Sequence, residues 1–233
     1  RPAAVLKVAT ERDVVLGVRL ARERGWQVAV RSGGHSWAQW SVREDALVID
    51  LAALQNISYD EQTRIVSVSP AVKGGAVLAP YLDERGRFFV GGHCPTVGVG
   101  GFLLQGGQGW NCRGWGWAAE YVEAIDVVTA DGELVRADSS QNSDLYWAAR
   151  GAGPGFFGVV TRFHLRTLPA PGHVAHTVQA FDLDDFDEVM TWLHDLHHSV
   201  ADTVEIVALT KTDRTLSDRP VLLVTGVALV SDE

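Results

Sequence analysis

Residues 91–101 read Gly91-Gly92-His93-Cys94-Pro95-Thr96-Val97-Gly98-Val99-Gly100-Gly101, and further glycines follow at 106, 107, 109, 114 and 116. Ten glycines thus fall in the 26 residues from Gly91 to Gly116, where average usage of roughly 7% supplies about two. The window holds one Arg, no Lys and no acid, and its glycines are interleaved with Val97, Val99, Phe102, Leu103, Leu104, Trp110 and Trp115. A flexible linker is polar and serine-rich; this segment is packed, and its backbone runs close to something else. A shorter turn of the same kind, Arg31-Ser32-Gly33-Gly34-His35-Ser36, stands upstream. Glycine permits positive φ and close backbone approach, so both turns suit N–H donation to the phosphate oxygens of a large ligand. Each also carries one nucleophile, the His35 imidazole and the Cys94 thiol. The alternative reading of the glycines is close backbone packing without a ligand.

Working outward, the flanks read as alternating α and β elements. Leu6-Lys7-Val8 is a short strand, and Thr10 with Asp13 three residues on caps a helix that Gly25 ends. Val28-Ala29-Val30 delivers the first glycine turn at its C-terminal end, and Ala46 to Asp50 is a third strand. The β-α-β-turn-β order gives a small α/β lobe with its ligand loop at the strand ends. Ile57 to Tyr59 and Arg64 to Ser69 form one hairpin; Tyr121 to Thr129 and Glu133 to Ala137 form another about an Asp131-Gly132 turn. Helices are expected over 75–85 and 143–150, and an alternating strand over 158–168. Pro169-Ala170-Pro171-Gly172 is the linker candidate. Beyond it come strands over 174–181, 204–210 and 221–230 and an amphipathic helix over 185–200.

Five stretches carry a resemblance to a known family: the Arg-Pro start with its strand and helix, RSGGHSW (31–37), GGHCPTVGVGGFLLQGGQGW (91–110), AAEYVEAIDVVTADGELVRA (118–137) and DLYWAARGAGPGFFGVVTRFHLRTLP (144–169). In order and spacing they resemble the berberine-bridge-enzyme-like branch of the vanillyl-alcohol oxidase/p-cresol methylhydroxylase (PCMH-type) flavoproteins. The resemblance implies an α+β fold: a two-lobed PCMH-type FAD-binding domain over 1–171, with lobes of about 1–52 and 53–171. The start of an antiparallel-sheet substrate domain would follow over 172–233. That substrate domain is much longer in the family, so the chain reads as part of a larger protein.

The same resemblance implies FAD as cofactor, bound doubly: His35 to the flavin 8α-methyl and Cys94 to flavin C6. The remaining cofactor-binding set it implies is Arg31, Ser32, Gly33, Gly34, Ser36, Val97, Gly98, Gly101, Phe102, Gly106, Gly109, Val122, Gly158 and Val160. The implied activity is an oxidase or dehydrogenase that removes a hydride from an alcohol, sugar or amine C–H. Electrons would pass to O2 or another acceptor, and the small-molecule substrates include bulky sugars, glycosides and alkaloid-like compounds. The alternative is a catalytically incomplete flavin-binding fragment or partner subunit without turnover. No catalytic residue is assigned, because the family's general base comes from the substrate domain or the last segment of the flavin domain. Two departures, Arg113-Gly114-Trp115-Gly116 and Ala119-Glu120-Tyr121-Val122, bear only on the adenosine end of the cofactor.

Taken singly, the key residues keep blander readings. His35 could be a loop histidine that orients its turn, and Cys94 a small buried hydrophobe. Arg31 has phosphate, Asp50 or Glu44 as partners. A zinc site from His35, His93, Cys94 and Cys112 lacks CxxC or HxxxH spacing, and no metal is expected. Gly98 to Leu103 and Gly151 to Phe156 both miss the last glycine of a Rossmann fingerprint, and there is no Walker A motif.

Composition closes other routes. Lys and Arg number 20 against 29 Asp and Glu, a net charge of −9, so neither nucleic acid nor an anionic membrane is an expected partner. No apolar run approaches the ~18 residues of a membrane span. The expectation is a soluble protein, cytoplasmic or secreted; the Asn56-Ile57-Ser58 sequon matters only in the second case.

Overall fold

A computed structural model describes residues 1–230. In chain order the elements are β1 (Ala4–Lys7), α1 (Glu11–Arg24), β2 (Gln27–Arg31), β3 (Ala46–Asp50), β4 (Ile57–Asp60), β5 (Ile65–Val68), α2 (Ala79–Asp83), β6 (Arg87–Phe88), α3 (Val99–Leu104), α4 (Cys112–Trp115) and β7 (Val122–Val128). Then come β8 (Leu134–Asp138), α5 (Ser143–Ala148), β9 (Val159–Arg166), β10 (Leu168–Pro169), β11 (His173–Asp182), α6 (Phe186–Leu196), β12 (Val204–Lys211) and β13 (Val221–Val230). The chain divides into two compact units, one of residues 1–109 with 117–169 and one of 110–116 with the residues from Ala170 onward.

In the first unit α1 begins where the sequence says it should. Thr10 is extended at the cap, its hydroxyl accepts from the Asp13 N–H, and the Asp13 carboxylate returns to the Thr10 N–H at 2.9 Å. Gly25 closes the helix at φ +66°. Its apolar face buries Val14, Val18 and Ala21 against Leu47, Ile49, Val128 and Val159; each fully buried valine contributes about 1.5–3 kcal/mol. That cluster draws on two sheets. One is parallel, three-stranded and ordered β1-β3-β2; the other is antiparallel, five-stranded and ordered β4-β5-β9-β7-β8. Polar ties add to it: Arg19 donates to the Gly132 carbonyl at 2.9 Å and Arg22 meets Asp131 at 2.9 Å, holding α1 to the β7–β8 turn.

Both expected hairpins form, with Tyr59 opposite Val66 and Val127 opposite Val135. The helix expected over 75–85 forms over 74–83: it begins as a wide π-helical stretch, Gly74–Leu78, and continues directly as α2. The glycine-rich segment contains a helix the residue pattern concealed: α3, with Val99, Gly100 and Leu103 buried. Packing overrides the poor helix propensity of its glycines there.

In the second unit β13 runs between β11 and β12, antiparallel to both. Val189 and Leu193 of α6 pack on Leu222 and Val224 of β13. Val174 and Val178 on β11 are exposed. Residues 110–116 join this unit through polar contacts. The Asn111 N–H donates to the Glu205 carboxylate, and Arg113 reaches both Asp202 (3.3 Å) and the Val200 carbonyl (3.2 Å). Gly114 packs so closely on Asp202 that an added Cβ would lie 2.6 Å from its carbonyl oxygen. The helix expected over 185–200 is α6, and single helical turns carry it on through Val200.

Candidate functional site

Three elements of the first unit place the site. β2 ends at Arg31 and hands over to the first glycine turn. The second glycine segment leads into α3 from Gly98, which also bridges to Lys73. The two segments touch. A Cβ built on Gly33 would lie 2.4 Å from the Gly98 nitrogen, and one built on Gly98 would lie 2.8 Å from the Gly33 nitrogen. Real Cβ atoms do not approach backbone so closely, so at this crossing glycine is required by chain-on-chain packing. Gly100 is confined in the same way, with Pro70 Cβ 2.7 Å from its missing Cβ. The packing reading of the glycines therefore holds at the crossing itself.

Beside the crossing opens a cavity of about 1210 Å³, above the range of about 300–1000 Å³ that suits drug-sized ligands. Arg31, Ser32, Gly33, Gly34, His35, Ser36, Cys94, Val97, Gly98, Gly101, Phe102, Gly158 and Val160 all line it. Three residues of the expected set do not. Val122 is buried in the β7–β9 pairing opposite Leu165. Gly106 sits at φ +98° against the Trp117 ring, and Gly109 packs on the Val90 and Gly91 carbonyls, so both serve the chain's own packing. Further lining comes from Trp37, Trp40, Gln105, Gln108, Pro154 and Phe156. All but Trp40 fall inside the stretches that carry the family resemblance, which assigns none of them to the cofactor. Trp37 is 99% exposed.

Arg31 supplies the cavity's anchored cation. Its Nη1 donates to Asp50 Oδ2 at 2.8 Å, and Asp50 Oδ1 accepts from the Ala52 N–H at 3.1 Å. Of the partners open to Arg31 within the chain, the structure selects Asp50. The parallel pairing of β2 with β3 sets Arg31 opposite Asp50 and makes that choice.

The two nucleophiles come together through a third residue. Thr96 Oγ1 lies 3.0 Å from His35 Nε2 and 3.6 Å from Cys94 Sγ. Thr96 escaped notice in the sequence because a threonine two residues after a cysteine carries no signal alone. Cys94 is an exposed free thiol. Thr96 thus engages the Nε2 side of the His35 ring.

A second polar constellation lies on the five-stranded sheet. His164 Nδ1 is 2.7 Å from Ser67 Oγ, and its Nε2 faces both Asp126 (3.0 Å) and Arg136 (2.7 Å). Burial raises the Asp126 pKa, but hydrogen bonds from His164 and Arg136 outweigh it and hold the carboxyl at about 2. Ser67, Asp126 and Arg136 take no part in lining the cavity, so this network serves the sheet. No helix among the described residues is long and apolar enough to cross a membrane.

The residues present fit an extended dinucleotide: the cavity is large, an anchored arginine faces it, and two nucleophiles share its rim. Known proteins agree. The family described as FAD binding domain matches residues 2–138. FAD-linked oxidoreductase nodO of Hypoxylon pulicicidum is 43% identical over 205 residues, 88% of this chain and 46% of the relative. Xylooligosaccharide oxidase of Thermothelomyces thermophilus is 39% identical over 175 residues, 74% of this chain and 35% of the relative. Among solved structures, a single-residue variant of berberine bridge enzyme in complex with (S)-reticuline superposes with a TM-score of 0.85 at 25% identity, covering 97% of this chain and 45% of the other. This chain therefore spans about half the length of the curated relatives it matches. The matched domain, the shared fold and the cavity together make this chain a member of the FAD-binding, berberine-bridge-enzyme-like family of PCMH-type flavoproteins, with FAD as its cofactor.

Proposed function

We propose that the chain is the flavin-binding part of an FAD-dependent oxidoreductase whose cofactor is tethered twice, through His35 and Cys94. The observation that carries this reading is the Thr96 bridge between the two nucleophiles on the rim of one cavity. Bound FAD would accept a hydride from an alcohol, sugar or amine C–H and pass the electrons to dioxygen or another acceptor. A relative named as a xylooligosaccharide oxidase supports a sugar as substrate, and the berberine bridge enzyme solved with (S)-reticuline supports an alkaloid-like one.

The chain's own residues divide the work. Arg31, fixed by Asp50, offers a guanidinium to the diphosphate. The close crossing of Gly33 and Gly98 holds both segments against each other, so that each contributes lining to the one cavity. His35 presents Nδ1 while Thr96 holds Nε2. With Nδ1 as the nucleophile, Nε2 carries the proton and donates it to Thr96 Oγ1; Cys94 would react as thiolate beside the same hydroxyl. His35 and Cys94 would each hold the flavin through one bond in place of a cofactor C–H and the residue's own N–H or S–H, with dioxygen taking up the two protons and two electrons released.

The test is acid precipitation of the FAD-loaded chain, with flavin absorbance read in pellet and supernatant. Wild type, His35→Ala and Cys94→Ala should each give a yellow pellet, and the double variant a colourless one. A colourless wild-type pellet overturns the covalent reading. A colourless His35→Ala pellet beside a yellow Cys94→Ala pellet reduces the attachment to a single bond.

A further inference from the structure

We propose that His194, His197 and His198, at the C-terminal end of α6, form a surface site for one late first-row divalent cation of the zinc class. The three residues contribute nothing to the cavity or to the core of the second unit. One ring nitrogen from each nevertheless lies within 4.8 Å of the other two.

The local helix geometry explains the convergence. His194 and His198 are four residues apart, so on helical backbone they share one face. The helical bonding continues past Leu196: the His197 N–H reaches the Leu193 carbonyl at 3.1 Å and the Val200 N–H reaches the Leu196 carbonyl at 3.1 Å. Ring centroids of His194 and His198 are 5.4 Å apart, and those of His197 and His198 are 3.8 Å apart. All three are exposed while Val189 and Leu193 of α6 are buried, so the rings lie on the outer side, where those of His194 and His198 have room to turn.

The chemistry is that of a metal site. Zinc binds imidazole nitrogen at about 2.0–2.1 Å, which places two ligands of a tetrahedral ion roughly 3.3 Å apart. Rotation of exposed rings closes the present spacing to that value. His197 Nδ1 lies 2.7 Å from the His194 carbonyl oxygen, and since a carbonyl only accepts, Nδ1 carries the proton. Nε2 of His197 is then the free donor, oriented by its second nitrogen as in metal-ligating histidines generally. The end of a helix attracts cations through its carbonyl dipoles. From Asp182 to Asp202 there are seven acidic residues and neither Lys nor Arg; Arg219 pairs with Asp182 and Asp184 and Arg113 with Asp202, and Asp195 lies beside the three histidines in sequence. Three imidazoles with no thiolate select zinc, copper(II) or nickel(II) over magnesium or calcium. Once bound, the ion would clamp the last turn of α6 to the turn that follows it.

Isothermal titration of the tag-free full chain with zinc chloride at pH 7.5 tests the site, and it reads independently of flavin. Wild type should take up one ion per chain with micromolar affinity, and zinc should raise its melting temperature. His194→Gln/His198→Gln, both exposed and both replaced by a good helix former, should fold normally, lose tenfold or more in affinity and lose the zinc-induced rise in melting temperature. Three results overturn the proposal: no uptake by wild type, equal affinity in the double variant, or half-stoichiometric uptake with dimer formation in sedimentation, which would mean an ion bridging two chains.

Discussion

Gly33→Ala is the sharpest perturbation of this site. The added methyl would lie 2.4 Å from the Gly98 nitrogen and 2.9 Å from its Cα. Both opposing atoms are backbone, so no side chain can swing aside. Ordinary van der Waals contact begins at 3.4 Å, so 3.4 − 2.4 means that the two segments must part by about 1 Å. Overpacking of this kind costs about 1–3 kcal/mol, and rigid backbone on both sides puts Gly33→Ala at the upper end, near 3 kcal/mol. For a chain of this size each kcal/mol moves the melting temperature by roughly 2–4 °C, so a fall of about 6–12 °C is expected. The same parting lengthens the 3.0 Å contact between His35 and Thr96, so the covalent flavin yield should fall as well.

Gly25→Ala is the control. Gly25 has open space around it but a φ of +66°, and the left-handed conformation costs a non-glycine residue about 1–2 kcal/mol. It should lower the melting temperature while leaving flavin attachment intact. Gly33→Ala with Gly98→Ala should cost less than the sum of the two, because the first parting makes room for the second. Calorimetry together with flavin retention in acid-precipitated protein reads all four chains. Gly33→Ala within about 0.5 kcal/mol of wild type, with an undiminished yellow pellet, would refute the packing argument.

Thr96→Val keeps the shape and removes the hydroxyl; covalent flavin should then form severalfold more slowly, followed as acid-stable absorbance against time, whereas Thr96→Ser should restore the rate. Asp50→Asn leaves an acceptor for the Ala52 N–H but turns an amide toward Arg31; a charge-assisted hydrogen bond of about 1.5–3 kcal/mol is lost, and noncovalent FAD titrated into the His35→Ala/Cys94→Ala background should bind at least tenfold more weakly. The depressed Asp126 pKa means that its ionised form is favoured in the fold, so its stabilisation is fully present above the ordinary carboxylate range near 4. That stabilisation drains as pH falls toward 2, and urea midpoints of wild type and Asp126→Asn should converge over that window while differing at pH 7.

Local sequence was enough wherever the deciding interaction is local. Thr10 and Asp13 cap α1 through each other, three residues apart, and Gly25 ends it for want of a Cβ. Asp131-Gly132 sets the β7–β8 hairpin because the turn itself fixes the register. The two glycine turns, each with a nucleophile, likewise pointed to a large phosphate-bearing ligand, and the family resemblance implied that it is a flavin.

What required the tertiary structure is what depends on partners far along the chain. The parallel order β1-β3-β2 sets Arg31 opposite Asp50, and a list of nearby acids cannot choose between Asp50 and Glu44. α3 forms in a glycine-rich stretch only because Val99 and Leu103 find a core. Gly106, Gly109 and Val122 carry the same local pattern as residues that face the cavity, yet they point into the chain's own packing. Thr96 bridges His35 and Cys94 only after Gly33 and Gly98 have brought their segments into backbone contact. Side-chain type and spacing are written in the sequence; which backbones meet across 60-odd residues is decided by the packing of the whole unit.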